Sequence, residues 1–226
     1  MMKRAFLIGG ALVAAGLTAA AATVGPELLA GYRFMDALDR YYASYEANGG
    51  AWPQTQDSCA LCHGVNGQPR DAQYAALAGQ PASYIEAQLH AFAEGRRQSA
   101  QMGPLAANLS DAQIKALADY FSRQPPGTTE APEQDDALAK RGEAVVAARG
   151  CIACHGENLS GGPLGPRIAG QGDGYLSDQL KAFKRGQRQD PSQAMNAMAS
   201  SLSDEELKAT AHYLSGLTPA QPHSAH

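Results

Sequence analysis

Two short stretches, CALCH at residues 59–63 and CIACH at residues 151–155, contain all four cysteines of this 226-residue chain. Each stretch reads Cys-x-x-Cys-His. Paired cysteines can form disulfides, a Cys-x-x-Cys redox pair or a zinc site. The histidine directly after each second cysteine argues against these three, because Cys-x-x-Cys-His is the attachment signal of c-type haem.

The spacing of the motif suits covalent haem attachment. Two thiols add to the two vinyl groups at one edge of the porphyrin, and the next imidazole then binds the iron as its proximal ligand. The sequence therefore predicts two covalently bound haem c groups, each with one iron. The residues predicted to hold them are Cys59, Cys62 and His63 in the first motif, and Cys151, Cys154 and His155 in the second.

The two motifs belong to a longer internal repeat. YIEAQLHAFAEGRRQ at residues 84–98 recurs as YLSDQLKAFKRGQRQ at residues 175–189. LAGQ likewise recurs as IAGQ, and LSDAQIKALADYFS recurs as LSDEELKATAHYLS. A repeat of this length predicts two tandem domains, since each unit is too long for a solenoid repeat.

The composition predicts an all-α fold, because β-branched runs are scarce and the periodic stretches are rich in Ala, Leu, Gln and Glu. Middle helices are expected over residues 81–94 and 174–185, and a helix over residues 136–149 leads into the second motif. Ser110 and Ser203 are predicted N-caps. The predicted segments are a signal or anchor at 1–26, a helical extension at 27–52, domain 1 at 53–123, an extended, solvated linker at 124–136, domain 2 at 137–218 and a tail at 219–226.

The N-terminus is typical of a bacterial export signal, because Lys3 and Arg4 precede an uncharged apolar run over residues 5–26. The run ends in a small-residue stretch suited to cleavage, yet it approaches the ~20 residues that span a bilayer. Cleavage and retention therefore both stay open, and either places the protein in the periplasm, soluble or tethered to the inner membrane. The net charge of −4 argues against nucleic acid as a partner.

Met102 and Met195 are the predicted distal ligands of the two irons. Each lies seven residues before the Leu of an LSD sequence, so they occupy the same position of the repeat. Both are expected in loops between helices. Met198 has no matching methionine, which favours packing, and neither His90 nor His212 recurs, which argues against a second histidine ligand.

Other repeated side chains have more than one interpretation. Arg97 and Arg188 either bind a haem propionate or lie at solvated helix ends. Tyr84 and Tyr175 are expected to pack against the haems in the domain cores.

In order and in duplicate over about residues 54–217, the chain shows CxxCHG, AGQ, Q-L-x-A-F, G-x-R-Q, a Met ahead of LSD and a final A-x-Y helix. These motifs resemble cytochrome c4, the two-haem periplasmic cytochrome c. The resemblance implies two class I cytochrome c domains packed about a pseudo-twofold axis, with His/Met ligation at both irons. It also implies electron transfer from a quinol-oxidising cytochrome bc complex towards a terminal oxidase.

One departure concerns a proline whose carbonyl, in this family, helps to hold the proximal imidazole. The second unit has Pro166 at this position and the first has Ala75. The resemblance thus leaves the support of His63 in doubt. Because such partners tune the iron, we expect the two haems to differ in potential.

Three functions follow from these residues. An electron carrier leads, since His/Met ligation fills both axial positions and leaves no site for a substrate. An electron-accepting subunit of a periplasmic dehydrogenase or respiratory supercomplex, anchored at the membrane by the N-terminal segment, is the alternative. A dihaem peroxidase is the third, and the matched methionines argue against it.

Overall fold

The computed structural model describes residues 22–43, 54–129 and 135–220. The chain divides into two compact units, Met1–Gln54 and Thr55–His226. All regular elements of the described residues are helices, which confirms the predicted all-α fold.

In the first unit, helix α1 covers residues 22–43. Most of its large apolar side chains are exposed, including Leu28, Tyr32 and Phe34. No helix of the described residues is both long enough and apolar enough to span a bilayer. Most of the predicted export segment precedes residue 22 and lies outside the described residues.

The second unit contains the two predicted haem domains, and their helices follow the same order. The first domain has α2 at Ala60–His63, α3 at Ala82–Ala93, α4 at Met102–Ala107 and α5 at Asp111–Ser122. The second has α6 at Asp136–Ala148, α7 at Ile152–His155, α8 at Asp173–Lys184, α9 at Ala194–Ser200 and α10 at Asp204–Ser215. Helices α2 to α5 thus correspond to α7 to α10, as the sequence repeat predicts.

The last helix of each domain begins with a capping box. Ser110 Oγ accepts a hydrogen bond from the backbone N–H of Gln113, whose side chain accepts one from the backbone N–H of Ser110. Ser203 and Glu206 form the same pair of bonds in the second domain. The two N-caps predicted from LSD are therefore confirmed, and each satisfies two amides that a helix start leaves unpaired.

Helix α6 packs closely against α10. A Cβ at Gly142 would lie 2.1 Å from the carbonyl oxygen of Ala209, so only glycine permits this approach of the two backbones. In the described part of the first domain, a 3-10 turn at Thr55–Cys59 precedes the motif instead of a long helix. Among the described residues, the contact of α6 with α10 therefore has no counterpart in the first domain.

The described part of the interdomain linker is partly docked: Pro126 and Thr129 are buried, contrary to the prediction of a solvated segment, whereas Pro125 and Thr128 are exposed as predicted. Pro126 is buried against Gly79, at which a Cβ would lie 3.0 Å from the proline ring. Thr129 is 4 % exposed, and its N–H donates to Gly170 O in the second domain. Residues 130–134 lie outside the described residues.

Candidate functional site

Each Cys-x-x-Cys-His motif forms one short helical turn, α2 or α7. None of the four cysteines forms a disulfide, and none is fully buried. The glycine after each histidine has a left-handed conformation, with φ of 73° at Gly64 and 78° at Gly156. A Cβ at Gly64 would lie 1.9 Å from Gln68 O. Glycine therefore lets the chain turn sharply away directly after the histidine.

Both histidines of the motifs are held by a backbone carbonyl. The Nδ1 atom of His63 lies 2.8 Å from Ala75 O, and the Nδ1 atom of His155 lies 2.8 Å from Pro166 O. Because a carbonyl oxygen only accepts, Nδ1 must donate, and this leaves the Nε2 lone pair of each ring for a metal. Burial lowers the pKa of both imidazoles, which favours the neutral form that binds iron.

The doubt about the support of His63 is thereby removed. Ala75 serves as well as Pro166 because the acceptor is a main-chain oxygen, which any residue provides. We predicted different haem potentials because Ala75 replaces the proline in the first domain. Since both histidines have the same carbonyl contact, that replacement no longer gives a reason for a difference.

Met102 and Met195 occupy equivalent places, but the prediction that they lie in loops is wrong. Met102 is the first residue of α4, and Met195 is the second residue of α9. An upstream polar side chain accepts from the first amide of each helix: Ser99 Oγ accepts from Met102 N, and Asp190 Oδ2 accepts from Ala194 N. Both methionines are partly buried. Their role as iron ligands stays a prediction.

His212, which does not recur, has a structural contact. It is 6 % exposed, and its Nε2 accepts from the backbone N–H of Asp135 at 3.1 Å, where the linker reaches α6. The residues that meet here are far apart in sequence, so no local pattern indicates this contact.

Arg97 and Arg188 lie at the interface between the two haem domains, which neither sequence interpretation included. The Nη2 atom of Arg97 donates to Tyr175 OH at 3.1 Å, and the Nη2 atom of Arg188 donates to Tyr84 OH at 2.8 Å. Both arginines also bond Gln88 Oε1, at 2.7 and 3.0 Å. The same two guanidinium groups bond the oxygen of the equivalent glutamine in the second domain, Gln179. Tyr84 and Tyr175 therefore use their hydroxyls to join the domains, a role beyond the core packing that we expected.

A second pair of contacts repeats across the interface. The side-chain amide of Gln80 bonds both backbone groups of Arg167, with its Oε1 3.0 Å from N and its Nε2 2.8 Å from O. The amide of Gln171 bonds both backbone groups of Ala76, at 2.8 Å each. Both glutamines are buried. The sequence shows the AGQ motif only as a repeated element. In the structure its two glutamines, Gln80 and Gln171, each bond the backbone of the other domain, and we call this pair of contacts the glutamine clamp.

The chemistry of these residues fits two c-type haems. Each motif offers two free thiols and an imidazole whose Nε2 is available, and a partly buried methionine follows at a matched position. The duplicated contacts between the domains keep the two motifs within one compact unit.

Comparison with known proteins agrees with this arrangement. A family model described as Cytochrome c matches residues 53–124 and 139–218. A thiosulfate dehydrogenase electron acceptor of Thiomonas intermedia (strain K12) is 38 % identical over 192 residues, which cover 79 % of this chain and 88 % of that protein.

Two solved structures are also similar. Reduced recombinant cytochrome c4 from Pseudomonas stutzeri has a TM-score of 0.66 and 30 % identity, over 76 % of this chain and 98 % of that one. The thiosulfate dehydrogenase TsdBA from Marichromatium purpuratum has a TM-score of 0.64 and 30 % identity, over 81 % of this chain and 39 % of that one. This chain therefore belongs to the cytochrome c family, as an electron-transfer protein with two tandem domains of the cytochrome c4 type and two covalently bound haem c groups.

Proposed function

We propose that this chain is the electron acceptor of a periplasmic dehydrogenase that oxidises thiosulfate. The observation that carries the proposal is the similarity, over most of the chain, to a protein named as such an acceptor. The thiosulfate dehydrogenase TsdBA also contains a region with this fold, and 81 % of the present chain is covered by it.

The two-domain geometry supports the proposal through stoichiometry. Joining two thiosulfate ions by a sulfur–sulfur bond releases two electrons. A chain with two one-electron centres accepts both electrons from one turnover. The location of both Cys-x-x-Cys-His motifs in one compact unit, Thr55–His226, supports this proposal.

The residues that hold the haems are proposed as follows. Bound haem supplies the one-electron redox chemistry. The cysteines anchor it through thioethers, the histidines bind the irons through Nε2, and the carbonyls of Ala75 and Pro166 orient the two rings. Met102 and Met195 would each supply a thioether sulfur to one iron, and this ligand would raise the potential and exclude other ligands.

Transfer from a quinol-oxidising cytochrome bc complex to a terminal oxidase is the second candidate. Its support is the match to 98 % of cytochrome c4 from Pseudomonas stutzeri. Both candidates place the haem domains in the periplasm, either free or tethered through the N-terminal segment.

Stopped-flow reduction of the oxidised holoprotein separates the two candidates. Under the proposal, a thiosulfate dehydrogenase with thiosulfate reduces both haems faster than a cytochrome bc complex with quinol does, at equal enzyme concentrations. Faster reduction by the bc complex would replace the first candidate with the second. Omission of thiosulfate is the control for reduction by contaminants.

A further inference from the structure

Helix α1 carries an apolar stripe along one face. The residues of the stripe follow one another at alternating steps of four and three, so they lie in one line on a helix. Leu28 is 69 % exposed and Met35 is 54 % exposed. An exposed apolar surface of this length marks an interaction site. We call these six residues the α1 stripe: Val24, Leu28, Gly31, Met35, Leu38 and Tyr42.

The charged side chains of α1 are distributed asymmetrically about the stripe. With about 100° of rotation per residue, Glu27 and Asp39 fall beside the stripe on its two opposite edges. Arg33 and Arg40 fall on the far side of the helix, where Arg40 pairs with Asp36. The stripe and its acidic edges therefore fit an apolar groove that is edged by basic side chains.

A membrane surface and a second copy of this chain suit the stripe less well. Helices that lie on a membrane are rich in Lys and Arg on their polar face, whereas α1 has three carboxylates and two arginines. Because two of the carboxylates edge the stripe, anionic lipid would meet like charge. A second α1 packed in parallel register would set Gly31 against Gly31, which leaves a gap in the contact.

The lengths of the matches with known proteins connect the N-terminal unit with the dehydrogenase. The unit Thr55–His226 has 172 of the 226 residues. The match to cytochrome c4 covers 76 % of the chain, which is the length of that unit. The match to TsdBA covers 81 %, about 183 residues, so about 11 or more of them precede Thr55. The match to the Thiomonas acceptor covers 79 %, about 179 residues, and so includes residues before Thr55 as well. Helix α1 is the element that the structure describes in this part of the chain.

A separate acceptor chain needs a binding surface that TsdBA does not need. The matched region is 39 % of the TsdBA chain, so the part with this fold is covalently joined to the remainder there. A covalent link supplies a high effective concentration. An acceptor on a chain of its own has to replace that link with a noncovalent contact.

We propose that the α1 stripe docks in an apolar groove, edged by basic side chains, on the dehydrogenase that reduces this chain. Leu28 and Met35 are the central apolar anchors, and Glu27 and Asp39 meet the cations at the edges of the groove. Export cleavage within residues 20–22 would leave the stripe in place. This inference rests on the proposed function, since the partner is the enzyme that oxidises thiosulfate.

Binding of the oxidised holoprotein to the immobilised dehydrogenase tests the proposal through the variant Leu28→Gln. Glutamine favours helix about as well as leucine does, so the variant removes an apolar anchor and leaves α1 intact. We expect Kd for the dehydrogenase to rise at least tenfold, because the apolar side chain is no longer buried in the contact. In thiosulfate oxidation, KM for this acceptor should rise with Kd, and kcat at saturating acceptor should stay the same, because no haem residue is changed. Met35→Gln is an independent second variant with the same expected result.

Leu29→Gln is the matched control. Leu29 is the neighbouring leucine of α1, is 49 % exposed and lies off the stripe, so this change should raise Kd by no more than about twofold. Equal rises for Leu28→Gln and Leu29→Gln, or no rise for either stripe variant, would overturn the proposal.

Vesicles of phosphatidylethanolamine and phosphatidylglycerol, together with sedimentation velocity, test the two other occupants. If Leu28→Gln abolishes vesicle binding or dimer formation but leaves Kd for the dehydrogenase unchanged, the stripe faces a membrane or a second copy, and the proposal fails.

The unaltered protein separates failure of this proposal from failure of the proposed function. If the dehydrogenase reduces the unaltered chain and both stripe variants with the same KM, the proposed function stands and the docking proposal fails. If the dehydrogenase with thiosulfate neither binds nor reduces the unaltered chain, both fail.

Discussion

Gln80 in the first domain bonds the backbone of Arg167 in the second as a neighbouring β-strand would, with one amide atom on N and the other on O. Gln171 returns the same pair of bonds to Ala76. Four buried hydrogen bonds between the domains thus depend on two side chains.

Gln171→Ala should destabilise the contact between the domains. The variant leaves the buried N–H of Ala76 unpaired, which costs about 1–3 kcal/mol. Chemical denaturation of the holoprotein, followed by circular dichroism, measures the loss in free energy of unfolding. Gln187→Ala, at an exposed position of the second domain, should change stability by no more than about 0.5 kcal/mol. Equal losses of unfolding free energy in the two variants would contradict a stabilising role for the glutamine clamp.

Tyr84 and Arg188 should be energetically coupled across the interface. Their hydrogen bond is 2.8 Å long and involves a charged donor. A double-mutant cycle with Tyr84→Phe and Arg188→Gln should give a coupling energy of about 0.5–3 kcal/mol. Tyr120→Phe is the control, because Tyr120 OH donates to Asn66 within the first domain. The destabilisation caused by Tyr120→Phe should simply add to that caused by Arg188→Gln. If the effects of Tyr84→Phe and Arg188→Gln also add, with no coupling energy, the contact between Tyr84 and Arg188 is contradicted.

Gly142→Ala should destabilise the second domain. The added Cβ would lie 2.1 Å from Ala209 O, and moving α6 away from α10 costs typically 1–3 kcal/mol. Gly31→Ala in α1 is a matched control, since nothing lies within 4 Å of its added Cβ and alanine favours helix by about 1 kcal/mol. Thermal unfolding measures the stability of both variants. If Gly142→Ala is as stable as the unaltered protein, α6 can move away from α10 without a cost in stability.

Ala75→Pro should leave the first haem unchanged. The substitution keeps the carbonyl that accepts from His63 Nδ1, so neither the absorption spectrum nor the midpoint of that haem should move. A shift equivalent to about a tenfold change in equilibrium constant, 59 mV for one electron, would show that the proline ring itself tunes the iron.

Met102→Ala should open the first iron to external ligands. Under the proposed ligation, loss of the thioether leaves the first iron without its methionine ligand, so carbon monoxide should bind the reduced variant and the midpoint of that haem should fall. Met195→Ala should do the same at the second iron. Met198→Ala is the control, and binding of carbon monoxide by this variant would identify Met198 as the ligand of the second iron in place of Met195.

The sequence was sufficient for features that depend on neighbouring residues. Cys-x-x-Cys-His fixes the attachment turn, and the LSD sequences fix the N-caps because their partners lie three residues away. It was insufficient for Met102, since Gly103 and Pro104 disfavour helix in general, although proline is tolerated in a first turn. The solvation of Thr129 was likewise misjudged, because its partner Gly170 lies in the other domain.

The interface shows the clearest limit of sequence reasoning. Gln80, Tyr84, Gln88 and Arg97 all recur in the repeat. From the sequence we expected Tyr84 to pack against a haem and Arg97 to bind a propionate or lie at a solvated helix end, and we assigned no role to the two glutamines. Their actual partners lie about 80 to 100 positions away, and no local pattern identifies a contact over that distance.

The reciprocal interface has an evolutionary consequence. The first domain alone contains both halves of it: the glutamine amide and the backbone that the amide bonds, and the arginine together with the tyrosine that the arginine bonds. Two identical one-domain chains therefore carry everything needed to form the same contact as a symmetric dimer. Gene duplication and fusion would turn that dimer into the present chain, and each position could then diverge between the copies, as Ala76 and Arg167 have done.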